Sequence, residues 1–300
     1  MWEPQPDWRA MPPGTGTSTV GVWRAALGDR PVVIKRLRRP DAHDPGELLD
    51  PTHFAYWRRE ADVHDTGIVQ QTVGLRSAIA AVEEDDLGVT LTREWVEDAA
   101  TSGPFMSIGM GRFAGSDLPR TRFLAKDQLR HRLLRVERGG GWPTLARTTA
   151  ADVADHLWQR RESYLQRMEL LPQVPQHGDP APTNMPGRDG DHVVAIDWAT
   201  LGLGHVGGDL GYLALTSREA LEPLLDAYLI GLPRAFADPE DVLLGARVTA
   251  VYTALSRAEW ALARVAPGEG ALAGKLKHPS VAPYLRSLQR LVPHIEALLE

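Results

Sequence analysis

One stretch limits this chain more than any other: His177-Gly178-Asp179-Pro180-Ala181-Pro182-Thr183-Asn184, followed by Val193-Val194-Ala195-Ile196-Asp197-Trp198. The first segment is rich in turn formers and reads as a loop. The second is a short apolar run with β-branched residues and reads as a strand that ends near Asp197. An acid therefore sits five residues before an amide, and a second acid closes the strand. Phosphoryl transfer of the kinase type uses such a set: a carboxylate beside the attacking hydroxyl, with an amide and another carboxylate on Mg²⁺. Gly178 and Asp179 alone are ordinary turn residues. Asn184 and Asp197 at this spacing raise the stretch to a candidate site. Asp179 is the expected base, since a carboxylate within reach of a hydroxyl orients it and takes its proton. Asn184 and Asp197 are the expected Mg²⁺ ligands, because a hard cation takes oxygen donors and keeps waters and phosphates for its other positions.

The chain before this stretch divides in two. Val20 to Leu27 and Pro31 to Leu37 are β-favouring runs, and Gly28-Asp29-Arg30 between them predicts a hairpin with a three-residue turn. Asp50-Pro51 predicts a helix start, with Gly67 as its stop. Phe54, Trp57, Ala61 and His64 recur at helical spacing and predict one buried face. Pro40 to Asp50 is polar and reads as a mobile loop, and Val89 to Val96 as a strand entering a connector, Glu97 to Ser102. From about Pro104 the pattern turns helical: Phe105 to Gly115, Thr121 to Arg138, and a helix capped by Thr149 with Val153, Leu157, Tyr164, Leu165 and Met168 in one stripe. Gly139-Gly140-Gly141 and Pro143 break the chain between the last two. After the site stretch come Ser217 to Gly231, a helix starting at Asp238-Pro239, and a last one marked by Val281, Tyr284, Leu285, Leu288, Val292 and Ile295. The expected fold class is α+β, with a small β-rich lobe over residues 1–96 and a larger helical lobe over residues 97–300. A cleft between lobes is a common place for a nucleotide.

Lys35 interrupts the apolar run Val32-Val33-Ile34. It reads either as a lysine on a solvated strand face or as the lysine that reaches nucleotide phosphates and is positioned by a helix glutamate. Glu60 is the expected partner. Glu83 to Asp86, four consecutive acids, read as a solvated turn. Gly14, Thr15, Gly16 and Thr17 form a small flexible segment before the first strand, either a plain loop or one whose N–H groups cover phosphates. No Gly-Lys-Ser/Thr follows it, so it is not a Walker A loop. Asp209 opens a helix in Val206-Gly207-Gly208-Asp209-Leu210, where a buried carboxylate would accept N–H bonds from the site loop.

Other chemistries find little support. With no cysteine, thiolate nucleophiles, thiolate metal sites and disulfides are excluded. His43, His53 and His64 do not form a metal-binding spacing, and no Gly-x-Ser-x-Gly elbow occurs. A net charge of −6 without a basic stripe argues against nucleic acid as a partner. No apolar run approaches membrane-spanning length and no secretory signal is visible, so a cytoplasmic enzyme is expected.

Taken together, "HGDPAPTN" and "VVAIDW" resemble the aminoglycoside phosphotransferase and choline kinase family, over nearly the full length of the chain. "PVVIKRL" resembles its phosphate-lysine strand, "YWRREADVHDTG" its glutamate-bearing helix, and "GGDLGYLAL" the segment after its metal aspartate. "YWRRE" and "AIDW" are most like actinobacterial-type members. The resemblance implies a bilobal protein-kinase-like fold, with Asp179 as base, Asn184 and Asp197 on Mg²⁺, Lys35 on the phosphates of ATP or GTP, and Glu60 paired with Lys35. It also implies that backbone groups around Glu94-Trp95-Val96 bind the purine. Pro180 and Ala181 depart from the family pattern, where an apolar or small residue and a histidine are usual.

The expectation is a Mg²⁺-dependent phosphotransferase that moves the γ-phosphoryl of ATP or GTP to a hydroxyl of a small molecule, such as an antibiotic or other natural product. Residues from about 100 to 170 and 215 to 300 would form the acceptor site. For a cationic acceptor, Glu222, Asp226 and Glu259 are the candidate acids. Two further readings stand beside it: a kinase for serine or threonine in a peptide substrate, and a silent nucleotide-binding scaffold. Oligomeric state is not legible.

Overall fold

The computed structural model describes residues 2–12, 16, 18–140, 155–265, 278–279, 281–291, 293 and 297. Gly141, Pro143, Thr149, Val153, Val292 and Ile295, singled out in the sequence, lie outside them, as do the side chains of Leu285 and Leu288.

The N-terminal part is built on a five-stranded antiparallel sheet in the order β1-β2-β3-β6-β5. Its strands are β1 (Arg9–Ala10), β2 (Thr19–Leu27), β3 (Arg30–Arg38), β5 (Ala80–Asp85) and β6 (Gly88–Glu94). Leu27 pairs directly with Arg30, so the β2–β3 turn holds two residues, not three. Gly28 takes φ +61° there, which the tight hairpin requires. Helix α1 (Arg59–Thr66) packs on one face of this sheet, where Leu37, Trp57, Ala61, Val89 and Leu91 form a small core.

Helix α1 is shorter than the sequence predicts. Asp50 does cap, but what it caps is a turn: its carboxylate accepts from both the N–H and the hydroxyl of Thr52 at 2.8 Å. The carbonyls of Pro51, His53 and Phe54 turn toward the Arg59 guanidinium, and residues 51–57 form turns in place of a helix. Gly67 ends the helix as expected. The 40–50 segment is pinned through Arg38 to Asp44 and Arg138 to Glu47, and Leu48 is buried, so the expected mobile loop is anchored. The acids 83–85 lie on β5, where Glu84 and Asp85 pair with Arg39, Arg58 and Arg36, and do not form a free turn.

A second sheet ties the two halves together. Strand β4 (Leu75–Ser77), from the first half, runs parallel to β9 (His192–Ala195), which also pairs with β8 (Gly187–Asp189). Strands β7 (Gln173–Gln176) and β10 (Gly202–His205) form a third. Around these pack α2 (Gly103–Ala114), α3 (Gln128–Arg138), α4 (Arg161–Met168), α5 (Gly208–Thr216), α6 (Leu221–Gly231), α7 (Pro239–Val265) and α8 (Ala282–Arg290). Helix α3 starts seven residues later than predicted from Thr121, because the Ala125 backbone bonds to Leu201 and Leu203 instead. Likewise α6 starts at Leu221, not Ser217. The main core is apolar, with Met110, Phe113, Leu157, Trp198, Leu210 and Val251 nearly inaccessible. Among the described residues no helix is long and apolar enough to cross a membrane.

Candidate active site

Of the predicted residues, Gly16, Lys35, Glu60, Asp179 and Asp197 line one cavity of about 170 Å³, whereas Asn184, Glu94, Trp95 and Val96 do not line it. Lys35 projects from β3 and its ammonium donates to Glu60 Oε2 at 2.6 Å and Asp197 Oδ1 at 2.7 Å. Burial works against that ammonium, but the charges of Asp197 and Glu60 outweigh it and hold its pKa above the ordinary lysine range. The Lys35 charge holds the Asp197 carboxyl below the usual carboxylate range. The two acids differ in access. Glu60 is sealed, with its side chain 5% exposed, whereas Asp197 stays 38% exposed, so one of its oxygens remains open to a ligand.

Asp197 stands two residues beyond the end of β9, in the left-handed region at φ +62°. Aspartate tolerates that conformation better than most residues. Asn184 closes the 3₁₀ turn Pro182–Asn184. Its amide Nδ2 donates to the Asp179 carbonyl at 2.9 Å, and its own carbonyl accepts from Ile196 N at 2.9 Å. The amide nitrogen thus faces its own loop, which leaves the amide oxygen for a cation.

The loop before it is held from beneath. Asp209, at the start of α5, accepts from the backbone N–H of His177 at 2.7 Å and Gly178 at 3.0 Å. Burial pushes the Asp209 carboxyl up, against the pull of those N–H bonds. The His177 ring bonds Ile196 O at 2.9 Å through Nε2, and its Nδ1 accepts from Asp179 N at 3.3 Å. These two bonds assign the proton to Nε2. Gly178 sits at φ +83°, where an added Cβ would lie 2.5 Å from the Thr200 carbonyl oxygen. Only glycine fits there.

Several functional neighbours gave no sequence signal. Arg257 Nη2 donates to Asp179 Oδ1 at 3.2 Å and also bonds the Tyr212 hydroxyl. Arg132 Nη2 donates to the Gly178 carbonyl at 2.9 Å. Arg93 on β6 lies cross-strand from Val33, hence on the Lys35 face of the sheet. Single arginines on helices and strands carry no motif, and only the fold brings them to the cleft.

Other predicted residues fare differently. Gly14, Thr15 and Thr17 lie outside the described residues, while Gly16 lines the cavity. The Glu94 side chain turns away, accepting from Ile79 N at 2.9 Å. The Trp95 N–H donates to Pro31 O at 3.1 Å, and its ring is covered by Arg24 at 4.2 Å. The Val96 N–H makes no hydrogen bond among the described residues. Glu222 and Asp226 are exposed on α6 and do not line the cavity, and Glu259 faces Arg135 instead. Among the described residues no group of three His, Cys, Asp or Glu side chains forms a metal cage.

A family model, the phosphotransferase enzyme family, matches residues 92–241. The chain belongs to that family. It is a phosphotransferase whose enzyme class takes an alcohol group as acceptor. Solved structures share its fold at low identity. A choline/ethanolamine kinase family protein from Mesorhizobium loti is 18% identical at a TM-score of 0.54, covering 94% of this chain and 92% of its own. Spectinomycin phosphotransferase, in complex with ADP and spectinomycin, is 12% identical at 0.55, covering 97% and 92%. Aminoglycoside 2'-phosphotransferase-IIIa, in its GDP complex, is 12% identical at 0.58, covering 92% and 93%. The phosphotransferase thus has the α+β, protein-kinase-like fold. No curated protein sequence matches it.

Proposed function

We propose that this phosphotransferase moves the γ-phosphoryl of ATP or GTP to the hydroxyl of a small molecule, with Asp179 as base and Asn184 and Asp197 on Mg²⁺. One observation carries the reading: Lys35 is bonded to both Glu60 and Asp197 in the same cavity as Asp179. A lysine fixed by two carboxylates is a rigid cation suited to nucleotide phosphates. Residues 1–96 then form the donor lobe and 97–300 the lobe that carries the loop and the acceptor. The free N–H of Val96 suits the purine edge, while Gly16 covers the phosphates.

The residues fit a Mg²⁺ ion, because one open carboxylate and one amide oxygen beside a phosphate site are the donor set it uses. When bound, the ion supplies charge neutralisation on the phosphates. The chain does the rest. Asp179 orients the acceptor hydroxyl and takes its proton. Asp209 and Arg132 hold the loop backbone, so that Asp179 need not reorganise during transfer.

Neighbours of this fold are named for choline and spectinomycin, and one is solved with ADP and another with GDP. That supports a small-molecule acceptor and either purine. Thermal unfolding with Mg²⁺–ATP and Mg²⁺–GTP tests the reading. Ligand at about 100 times its dissociation constant adds about 2.7 kcal/mol. The expected rise depends on Mg²⁺ and disappears in Asp197→Ala. No rise with either nucleotide overturns the donor assignment.

A further inference from the structure

The acceptor side of the cleft is cationic. Arg257, Arg135 and Arg132 line the same cavity as Asp179. Arg132 and Arg135 lie within 5.7 Å and 5.5 Å of the Phe54 ring centroid, and Arg132 and Arg257 within 5.5 Å and 5.3 Å of Tyr212. Two aromatic rings thus gather three guanidinium groups along one wall of the cavity; Arg257 and Arg132 act on Asp179, whereas the acids that act on Arg135 are Glu259 and Glu47. Arg132 is committed to the Gly178 carbonyl. The Arg135 guanidinium makes no hydrogen bond or ion pair among the described residues. Burial holds the Arg135 and Arg132 pKa values down, and neighbouring arginines add to the effect, whereas for Arg257 burial is outweighed by Tyr212, Asp179 and Tyr284, which hold its pKa up. Like charges in a half-buried site are unfavourable where no anion compensates them, which here leaves Arg132 and Arg135.

The acids tell the same story from the other side. Glu60 and Asp197 are taken by Lys35, and Asp179 is taken by Arg257. Among the described residues lining this cavity, no acid is left to receive a cationic acceptor. Glu259, the one predicted acid near the cleft, acts on Arg135 together with Glu47, and neither acid lines the cavity.

We infer that the acceptor is an anionic alcohol, a molecule carrying a carboxylate or a phosphate that seats between Arg135 and Arg257 and presents its hydroxyl to Asp179. The inference rests on the phosphotransferase reading above. In the reaction, the hydroxyl oxygen bonds the γ-phosphorus of the nucleoside triphosphate, and the bond from that phosphorus to the β–γ bridging oxygen breaks. The nucleoside diphosphate leaves with the electron pair, and the hydroxyl proton passes to Asp179. The anion releases Arg257 from Asp179 as it binds, so the carboxylate becomes free for the hydroxyl when the substrate arrives.

The test is calorimetric titration of the full chain saturated with Mg²⁺–ADP or Mg²⁺–GDP. The probes are L-malate and glycerol 3-phosphate as anions, with choline and kanamycin as cations. Either anion binding at least tenfold tighter than both cations supports the inference, and malate against glycerol 3-phosphate tells carboxylate from phosphate. Arg135→Gln and Arg257→Gln should each weaken the anion at least tenfold and leave the nucleotide dissociation constant within about twofold. The thermal midpoint of each variant shows that it is folded. Tighter binding of a cation, or no arginine-dependent anion binding, overturns the inference. So does an arginine substitution that weakens nucleotide in place of the anion, which would assign these groups to the donor phosphates. Failure of the phosphotransferase reading looks different, because then neither nucleotide binds at all.

Discussion

The guanidinium of Arg59 donates to the carbonyl of Ala199 at 2.8 Å, joining helix α1 to the segment two residues past Asp197. The same side chain bonds the carbonyls of Phe123, Phe54, Pro51 and His53, and it is fully buried with no acid in ion-pair contact among the described residues. Burial lowers its pKa to about 10. Arg59 precedes Glu60, so the bond to Ala199 fixes how far Glu60 stands from Asp197, and Lys35 bridges that gap. A lysine has three donors on one nitrogen and cannot reach carbonyls on several sides. Arg59→Lys should therefore destabilise by about 2–4 kcal/mol, as carbonyls are left unpaired in the core. It should also raise the nucleotide KM. Chemical denaturation measures the first effect, and an unchanged midpoint would remove Arg59 from its joining role.

Which parts of this were legible in the sequence follows from the range of the interactions. The α+β division, the hairpin and the site loop depend on local patterns, and those patterns stand in the chain. The contacts that position the site are long-range. Arg59 takes its partners from residues 51 to 199, and Arg257 meets Asp179 across 78 positions. The same long range explains why two helices start later than their sequence pattern predicts. Residues 51–57 and 121–127 have helical composition, but Arg59 takes the carbonyls of Pro51, His53, Phe54 and Phe123, and the Ala125 backbone pairs with Leu201 and Leu203. The acids proposed for a cationic acceptor do not line the cavity, for the opposite reason. A helix acid is recognisable as an acid, but its face and its neighbours are set only when the helices pack.

Asp179→Asn tests the base. The amide keeps the volume and one oxygen but cannot take the hydroxyl proton. Turnover should fall by about 10²–10⁴, with the Mg²⁺–nucleotide dissociation constant within about threefold, since Asp179 does not touch Lys35. Steady-state kinetics and calorimetry read the two numbers separately. Turnover equal to that of the parent chain removes the assignment.

Asp209 acts one layer below. It holds the N–H groups of His177 and Gly178, and through them the place of Asp179. Asp209→Ala leaves two buried donors without partners and should destabilise by about 1–3 kcal/mol. Because the loop loses its anchor, kcat should drop more than nucleotide affinity does. Asp209→Asn keeps one acceptor oxygen and should fall between the two. Loss of stability with an unchanged kcat would make Asp209 a purely structural residue.

His53 gives the fold an acid-sensitive point outside the reacting groups. It is buried at 6% exposure, its ring centroid lies 4.4 Å from that of His131, and its Nδ1 accepts from Ala55 N at 3.2 Å. Burial, followed by the neighbouring His131, lowers its pKa to about 4 from 6.5. Between those values the unfolded chain binds a proton that the folded chain refuses, so stability is lost as pH falls through this window. The loss from this one group should be about 2 kcal/mol between pH 7 and pH 5. Burial lowers the His64 and His205 pKa values as well, and both act in the same direction. His53→Phe keeps the ring contacts and removes the titration, so its denaturation midpoint should fall less between pH 7 and pH 5 than that of the parent chain. Parallel losses in the two proteins would place the acid sensitivity elsewhere in the fold.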